Sequence, residues 1–348
     1  MEIPLKTIKI KEETPKSYNF GLGFLRMILA LRVIISHCYN HKLKTNNKLL
    51  ILAVVSRRVH VPSFFIISFY FILNVLIQLN PKLLYKRIVR LSIPYLGWPI
   101  IIYILNNAII CRFFNFHKIS FIQLKSQLLW GNNYIIQLWF QWDLIFITIL
   151  FFLIIFISGK YHLFLFHLLA IVAYICQYSG YNYQFYLFCK KECLGRFFEM
   201  IPYAVTGLTL ASFKMFDYLN KNRTKTLILS SLIFILVGKY EVFAKVKSVS
   251  YSGLKLNVRA VSLVFSFSVF PSEYIQSKKL INLIRQITNF TAGVFYLHYT
   301  VYIYSRNYFQ FIRKGTFLGC VFIYLISYLI SFYSSKLTGK TIFRNLFA

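Results

Sequence analysis

Two residues with anion-binding and acid–base chemistry, Arg26 and His37, lie inside the first hydrophobic segment of the chain, between Phe20 and Tyr39. Ionisable side chains are costly in hydrocarbon, so those within a membrane span are candidates for a functional site. Because three helical turns separate the two, their side chains share one helix face, roughly 16 Å apart along the axis. The pair offers a cation toward one side of a membrane and a proton-transfer group toward the other. Alternatively, Arg26 extends its charge to the membrane surface and His37 is an interfacial histidine.

Arg87 and Arg90 form a second candidate site at the start of a later hydrophobic segment. Residues three apart share a helix face, so the two guanidinium groups lie side by side. Guanidinium binds phosphate oxygens in pairs, which suits a phosphate or pyrophosphate ligand. The competing interpretation is that the pair anchors the span at the cytoplasmic surface. Pro94 follows in the same segment and predicts a bend in the helix.

The elements that position these residues are predicted to be transmembrane helices. The chain has 348 residues, of which 58% are hydrophobic, and its mean hydropathy is +0.60. Apolar runs of about twenty residues recur, the length that crosses about 30 Å of hydrocarbon. We therefore expect an all-α fold, a polytopic transmembrane helical bundle of about ten transmembrane helices. The predicted spans are residues 20 to 39, 61 to 79, 88 to 110, 134 to 157, 161 to 178, 197 to 213, 226 to 243, 254 to 271, 286 to 308 and 316 to 335.

One integral membrane domain, residues 20–335, is expected between an N-terminal tail (1–19) and a C-terminal tail (336–348). An even number of spans places both termini on one side. A slight excess of basic loop residues predicts a cytoplasmic N-terminus. Two of the predicted spans contain charged residues, the seventh with Lys239 and Glu241 and the eighth with Lys255 and Arg259.

A net charge of +31 raises the question of an acidic partner. The basic residues lie in short loops, without a domain or tail long enough to bind a duplex, so no nucleic acid partner is expected. Membrane lipid headgroups are the expected contacts of most of them. Of the six cysteines, Cys189 and Cys193 are four residues apart in one loop and can pair only if that loop faces an oxidising compartment. No zinc-like spacing occurs, so no metal is predicted.

Further motifs follow in a fixed order: FFIIS at Phe64–Ser68, LWF at Leu138–Phe140, IPYAVTGLTLA at Ile201–Ala211 and VFYLH at Val294–His298. With Arg26-x10-His37 and Arg87-x-x-Arg90, they resemble the landmarks of the membrane-bound acyltransferase-3 family. That family includes O-acetyltransferases that modify bacterial O-antigen, exopolysaccharide and related glycans. The chain departs from the family pattern at Phe69, where a glycine is usual, and at residues 289–293, where a Ser-Tyr-Gly-like stretch is usual.

The resemblance implies transfer of an acyl group, usually acetyl, from cytoplasmic acyl-CoA to a hydroxyl of a cell-surface polysaccharide or its lipid-linked precursor. It implies catalytic roles for His37 and Arg26, and acyl-CoA binding by Arg87 and Arg90. No tightly bound cofactor is expected, since acetyl-CoA is the donor substrate. His37 can serve as the base that removes the hydroxyl proton or as a covalent acyl relay, and both alternatives stay open. The expected location is the bacterial inner membrane.

Four further residues are candidates for the site, each with a structural alternative. His298 either lines the site or is a hydrogen-bonded core histidine. Ser68 belongs to the FFIIS motif. Asp143 can orient a histidine or form a structural ion pair. Trp139 can stack on a sugar ring or anchor the span at the interface.

A transporter or exporter of a polysaccharide or small anion is the alternative function. Intramembrane charges line translocation paths as well as active sites. An exporter has no need of a base aligned with phosphate-binding cations, so Arg26, His37, Arg87 and Arg90 together favour an enzyme.

Overall fold

A computed structural model describes residues 19–38, 59–111, 117–130, 138–178, 194–243, 253–270, 275 and 277–338 of the protein. These residues are helical almost throughout and include no strand, which confirms the predicted all-α class. The N-terminal tail up to residue 18, the C-terminal tail beyond residue 338, and the pair Cys189 and Cys193 lie outside the described residues.

The described residues include fourteen α-helices. In chain order they are α1 (Phe20–Cys38), α2 (His60–Ile77), α3 (Pro81–Leu105), α4 (Phe121–Trp130), α5 (Trp139–Ser158), α6 (His162–Tyr178), α7 (Leu194–Ser212), α8 (Met215–Lys221), α9 (Arg223–Phe243), α10 (Leu254–Ser268), α11 (Lys278–Asn289), α12 (Thr291–Ser305), α13 (Gln310–Arg313) and α14 (Phe317–Thr338).

Each predicted span overlaps one of these helices, namely α1, α2, α3, α5, α6, α7, α9, α10, α12 and α14. Five described stretches are long and apolar enough to cross a membrane: Phe20–Cys38, His60–Ile77, Pro81–Ala108, Trp139–Cys176 and Phe317–Leu337. One of them contains two successive helices, α5 and α6. The protein is thus an all-α membrane protein, while the number of crossings remains a prediction.

A tight turn brings α3 back beside α2. Leu79 adopts a left-handed conformation with φ of 46°. Asn80 then caps α3, since its Oδ1 accepts hydrogen bonds from the backbone N–H of Lys82 (3.0 Å) and of Leu83 (3.3 Å). Pro81 occupies the first turn, where its missing N–H costs nothing. This local sequence fixes where α3 begins, and with it the position of Arg87 and Arg90 about two turns later.

Two hydrophobic clusters form the interior of the bundle. One is built mainly from α2, α5, α6, α7 and α10, the other from α3, α12 and α14, and α1 contributes to both. Phe64, Leu91 and Phe140 are partly buried and pack against both clusters. The seam between the clusters is therefore lined by these three side chains.

α7 approaches α2 closely at Gly207. A Cβ at this position would meet the carbonyl oxygen of Ile66 and lie 3.1 Å from the Cβ of Phe69. Phe69 itself is fully buried and packs against Phe151, with ring centroids 5.5 Å apart. Phe69, at the position where the resemblance leads one to expect a glycine, thus faces the core. The close approach between α2 and α7 is made at Gly207 instead.

The two cations of the eighth predicted span lie beside aromatic residues of α9. Arg259 is 1% exposed, and its guanidinium lies 5.1 Å from the ring centroid of Phe234. Lys255 is exposed, and its ammonium lies 4.3 Å from the ring centroid of Tyr240. A cation–π contact with α9 therefore helps to hold Arg259 inside an apolar bundle.

Candidate functional site

A cavity of about 400 Å³ lies at the seam between the two clusters. Three arginines line it, one from α1 and two from α3: Arg26, Arg87 and Arg90. Among the described lining residues none is acidic, and most of the others are aromatic or aliphatic. The cavity is therefore suited to a ligand that has an anionic part and an apolar part.

Arg87 is oriented by α2. Its Nη2 donates a hydrogen bond of 2.8 Å to Ser68 Oγ, and both residues line the cavity. Arg87 Nε is buried and has no hydrogen-bond partner among the described residues. A guanidinium with one group fixed and another buried donor unused is ready to bind an external acceptor. Ser68, a candidate from the sequence, thus positions an arginine.

Arg90 and Pro94 lie one and two turns further along α3 and also line the cavity. Pro94 has no N–H to donate to the carbonyl of Arg90, so α3 lacks one backbone hydrogen bond beside the cavity. Gln141 of α5 contacts α3 near this point, because its Nε2 donates to the Leu91 carbonyl at 2.6 Å. The same Nε2 lies 2.9 Å from Tyr296 Oη on α12. Gln141 thereby connects α3 to α12, which also lines the cavity.

His37 lies in a separate histidine group near the end of α1. Its ring centroid is 5.6 Å from that of His298 and 5.8 Å from that of Tyr299. Arg32, His37 and His298 are all within electrostatic range of His60, which is 2% exposed at the start of α2. Three histidines from three helices therefore converge on one region of the interior.

His298 is available for hydrogen bonding in this group. Its Nδ1 is 2.7 Å from the Phe295 carbonyl, which requires the proton on Nδ1 because a carbonyl only accepts. Its Nε2 is buried and has no hydrogen-bond partner in the described part of the chain. In the neutral ring this nitrogen is an acceptor.

The described residues contain no group of three His, Cys, Asp or Glu side chains that can hold a metal ion.

Phe295 adjoins both the cavity and the histidine group. Its ring lines the cavity with Phe64 and Phe140, at centroid distances of 6.3 and 5.3 Å. The same ring is 6.0 Å from that of His298. The aromatic lining of the cavity therefore extends to the histidine group.

Trp139 and Asp143 lie away from this cavity. Trp139 is 7% exposed, and the Arg196 guanidinium lies 4.9 Å from its ring centroid, so one face of the indole is covered. Asp143 is 1% exposed, with Arg196 and Glu199 in electrostatic range. Its Oδ2 has no hydrogen-bond partner among the described residues. The structure thus gathers these two residues around Arg196, and neither lines the cavity.

Several polar residues in or beside the cavity and the histidine group were not singled out as candidates from the sequence, among them His60, Gln141, Thr291 and Tyr296. Thr291 and Tyr296 line the cavity from α12, and Gln141 contacts Tyr296 across 155 residues of sequence. Such long-range contacts leave no local pattern. His60 could have been found from the sequence, because it is an ionisable residue next to an apolar span, the same feature that identified His37 as a candidate.

Comparison with known proteins gives a family match over most of the chain. Residues 19–335 match the family model Acyl_transf_3, described as an acyltransferase domain. No curated protein and no solved structure matches the chain.

Proposed function

The chain belongs to the acyltransferase-3 family, and from that premise we propose that this membrane acyltransferase is an O-acyltransferase, most simply an O-acetyltransferase. It moves an acyl group from cytoplasmic acyl-CoA to a hydroxyl of a cell-surface polysaccharide or its lipid-linked precursor. The observation that carries the proposal is the cavity in which Arg26, Arg87 and Arg90 meet apolar side chains. Coenzyme A combines phosphates with a long, less polar arm, and the cavity offers complements to both.

In this proposal the arginines hold the phosphates of the donor, and the arm carries the thioester toward His37. Arg26 and His37 are three turns apart on α1, roughly 16 Å along the axis, so donor binding and chemistry occupy two ends of one helix face. An extended donor suits this separation. The acceptor hydroxyl then approaches from the side on which His37 lies.

His37 supplies the proton transfer. As a base, it takes the proton of the acceptor hydroxyl while the hydroxyl oxygen bonds to the thioester carbonyl carbon. The carbon–sulfur bond then breaks, and the thiolate of coenzyme A recovers the proton from His37. As a covalent relay, the imidazole would first bond to the acyl carbon while the carbon–sulfur bond breaks, and coenzyme A would leave as the thiol with the proton of the imidazole. The acceptor hydroxyl would then take the acyl group and return its proton to the ring. The ring of His298 lies beside that of His37, with centroids 5.6 Å apart, and its acceptor nitrogen would favour the protonated His37 that forms when it acts as a base.

The exporter alternative has less support. Family membership argues for a transferase. The rings of Phe64, Phe140 and Phe295 contribute to the cavity lining and offer no hydrogen-bond partners to the hydroxyl groups of a translocated polysaccharide.

The decisive test of the proposed function is mass spectrometry of the surface glycan from cells with and without the gene. We expect an acyl group to be absent from the glycan of the deletion strain and restored by the wild-type gene. A glycan whose acylation is unchanged would contradict the O-acyltransferase proposal. Loss of the whole glycan from the surface would instead support the exporter.

The proposed orientation places both termini in the cytoplasm, which puts Arg87 and Arg90 at the cytoplasmic beginning of α3, where acyl-CoA is available. Reporter tags fused to the two ends check this arrangement. We expect both tags to report the cytoplasm. Tags on opposite sides would mean an odd number of crossings, and an error in one of the two spans formed by α9 and α10.

A further inference from the structure

The hydroxyl proton of Tyr296 points away from Gln141. The Leu91 carbonyl can only accept a hydrogen bond, so the Gln141 atom 2.6 Å from it must be the amide nitrogen. That same nitrogen is 2.9 Å from Tyr296 Oη, which therefore acts as acceptor in this contact. A phenol oxygen that accepts in this way keeps its own proton for donation to another group. Gln141 thus sets the direction in which Tyr296 donates.

Thr291 provides a second hydroxyl from the same helix. It lines the cavity and is 2% exposed. Its Oγ1 is buried and has no hydrogen-bond partner within the described ranges. Buried hydroxyl groups are nearly always hydrogen-bonded, so an unused one on a cavity wall indicates a bond that is completed by a ligand.

The hydroxyls of α12 share the cavity with arginines from α1 and α3. Arg26 and Arg90 are both within electrostatic range of Tyr296. Since the described lining contains no acidic residue, a group held among these side chains must be an acceptor and is favoured if it is an anion. A phosphate oxygen meets both conditions.

We propose that Tyr296 and Thr291 bind a phosphate of the acyl-CoA donor together with Arg26 and Arg90. Gln141 is a positioning residue that holds the Tyr296 hydroxyl in the donating direction. This inference rests on the proposed function, because it takes acyl-CoA as the donor, and it adds α12 to a phosphate site that the sequence assigned to α3 alone.

The test is direct binding of coenzyme A to the purified full-length protein in nanodiscs of zwitterionic phosphatidylcholine, measured by titration calorimetry. We expect Tyr296→Phe to weaken binding by about tenfold or more, the range for a hydrogen bond to a charged group. Valine has almost the same shape as threonine, so Thr291→Val removes only the hydroxyl and should also weaken coenzyme A binding. The melting temperature of this variant should equal or exceed that of the wild type, because an unsatisfied buried hydroxyl is removed. Tyr302→Phe removes a hydroxyl of α12 outside the cavity and is the matched control.

A second ligand separates phosphate binding from contact with the arm. Pantetheine lacks the diphosphate, so its binding should be the same in the wild type and in Tyr296→Phe. An equal loss for pantetheine, or unchanged coenzyme A binding in Tyr296→Phe, would overturn the inference. The inference would also be overturned if Thr291→Val had a lower melting temperature than the wild type, because its weaker binding would then be explained by a loss of stability. If the wild type itself binds no coenzyme A, the donor in the proposed function is wrong as well.

Discussion

Acyl transfer is expected to fall by at least about a hundredfold when His37 is replaced by alanine, the usual range for loss of a general base. In the proposed mechanism the histidine provides the base or the covalent relay, and the alanine side chain can do neither. The rate should stay low at saturating acyl-CoA, because the proposed donor site is formed by other residues, the arginines that line the cavity. The measurement is transfer of labelled acyl groups in isolated membranes, together with mass spectrometry of the glycan.

His117→Ala is a suitable control for this experiment, since His117 is exposed and lies outside both the cavity and the histidine group. It should transfer acyl groups at the wild-type rate. Near-normal glycan acylation by His37→Ala would rule out the assigned role. Labelled donor supplied without acceptor distinguishes the two mechanisms, because only a relay leaves the label on His37.

Replacing Arg87 or Arg90 with glutamine should raise the acyl-CoA concentration needed for half-maximal transfer by about one to two decades. A charge-assisted hydrogen bond contributes about 1.5 to 3 kcal/mol, and each factor of ten corresponds to about 1.4 kcal/mol. A high donor concentration should restore most of the rate, since attack by the hydroxyl uses other groups. The rate of transfer is measured against acyl-CoA concentration in purified membranes.

Lys86→Gln is the matched control for the arginine variants. Lys86 is an exposed cation in the same turn of α3, and it does not line the cavity. Its donor dependence should equal that of the wild type. If Arg87→Gln and Arg90→Gln behaved in the same way as Lys86→Gln, both arginines would be anchors of the span. The donor site would then have to be sought elsewhere in the chain.

The sequence was sufficient to predict the helices and part of the site. A continuous apolar run of span length has few alternatives to a helix, so each predicted span overlaps a helix. Arg26, Ser68, Arg87 and Arg90 were predicted separately, and the structure brings them to one cavity. Their side chains carry polar chemistry within or beside apolar segments, which makes them visible without any knowledge of the packing.

The remainder of the site depends on how helices are arranged around one another. The contact between Gln141 and Tyr296 requires α5 and α12 to be neighbours, and no pattern in either segment predicts that. Trp139 and Asp143 attract attention as single residues, yet their environment is set by Arg196 on α7. Side-chain chemistry is thus predictable from the sequence, whereas the choice of partners is made by packing.

The cluster of positive charge in the cavity links ligand binding to the stability of the bundle. Arg87 and Arg90 act on each other as like charges, and no acidic residue occurs among the described lining residues to offset them. Folding the protein without a ligand therefore works against electrostatic repulsion. An anion that binds only the folded state removes this repulsion and adds about 2.7 kcal/mol of stability at a hundred times its dissociation constant. The donor of the reaction would in this way also act as a structural component of the enzyme that consumes it, and the resistance of the bundle to unfolding would rise and fall with the supply of donor in the cell.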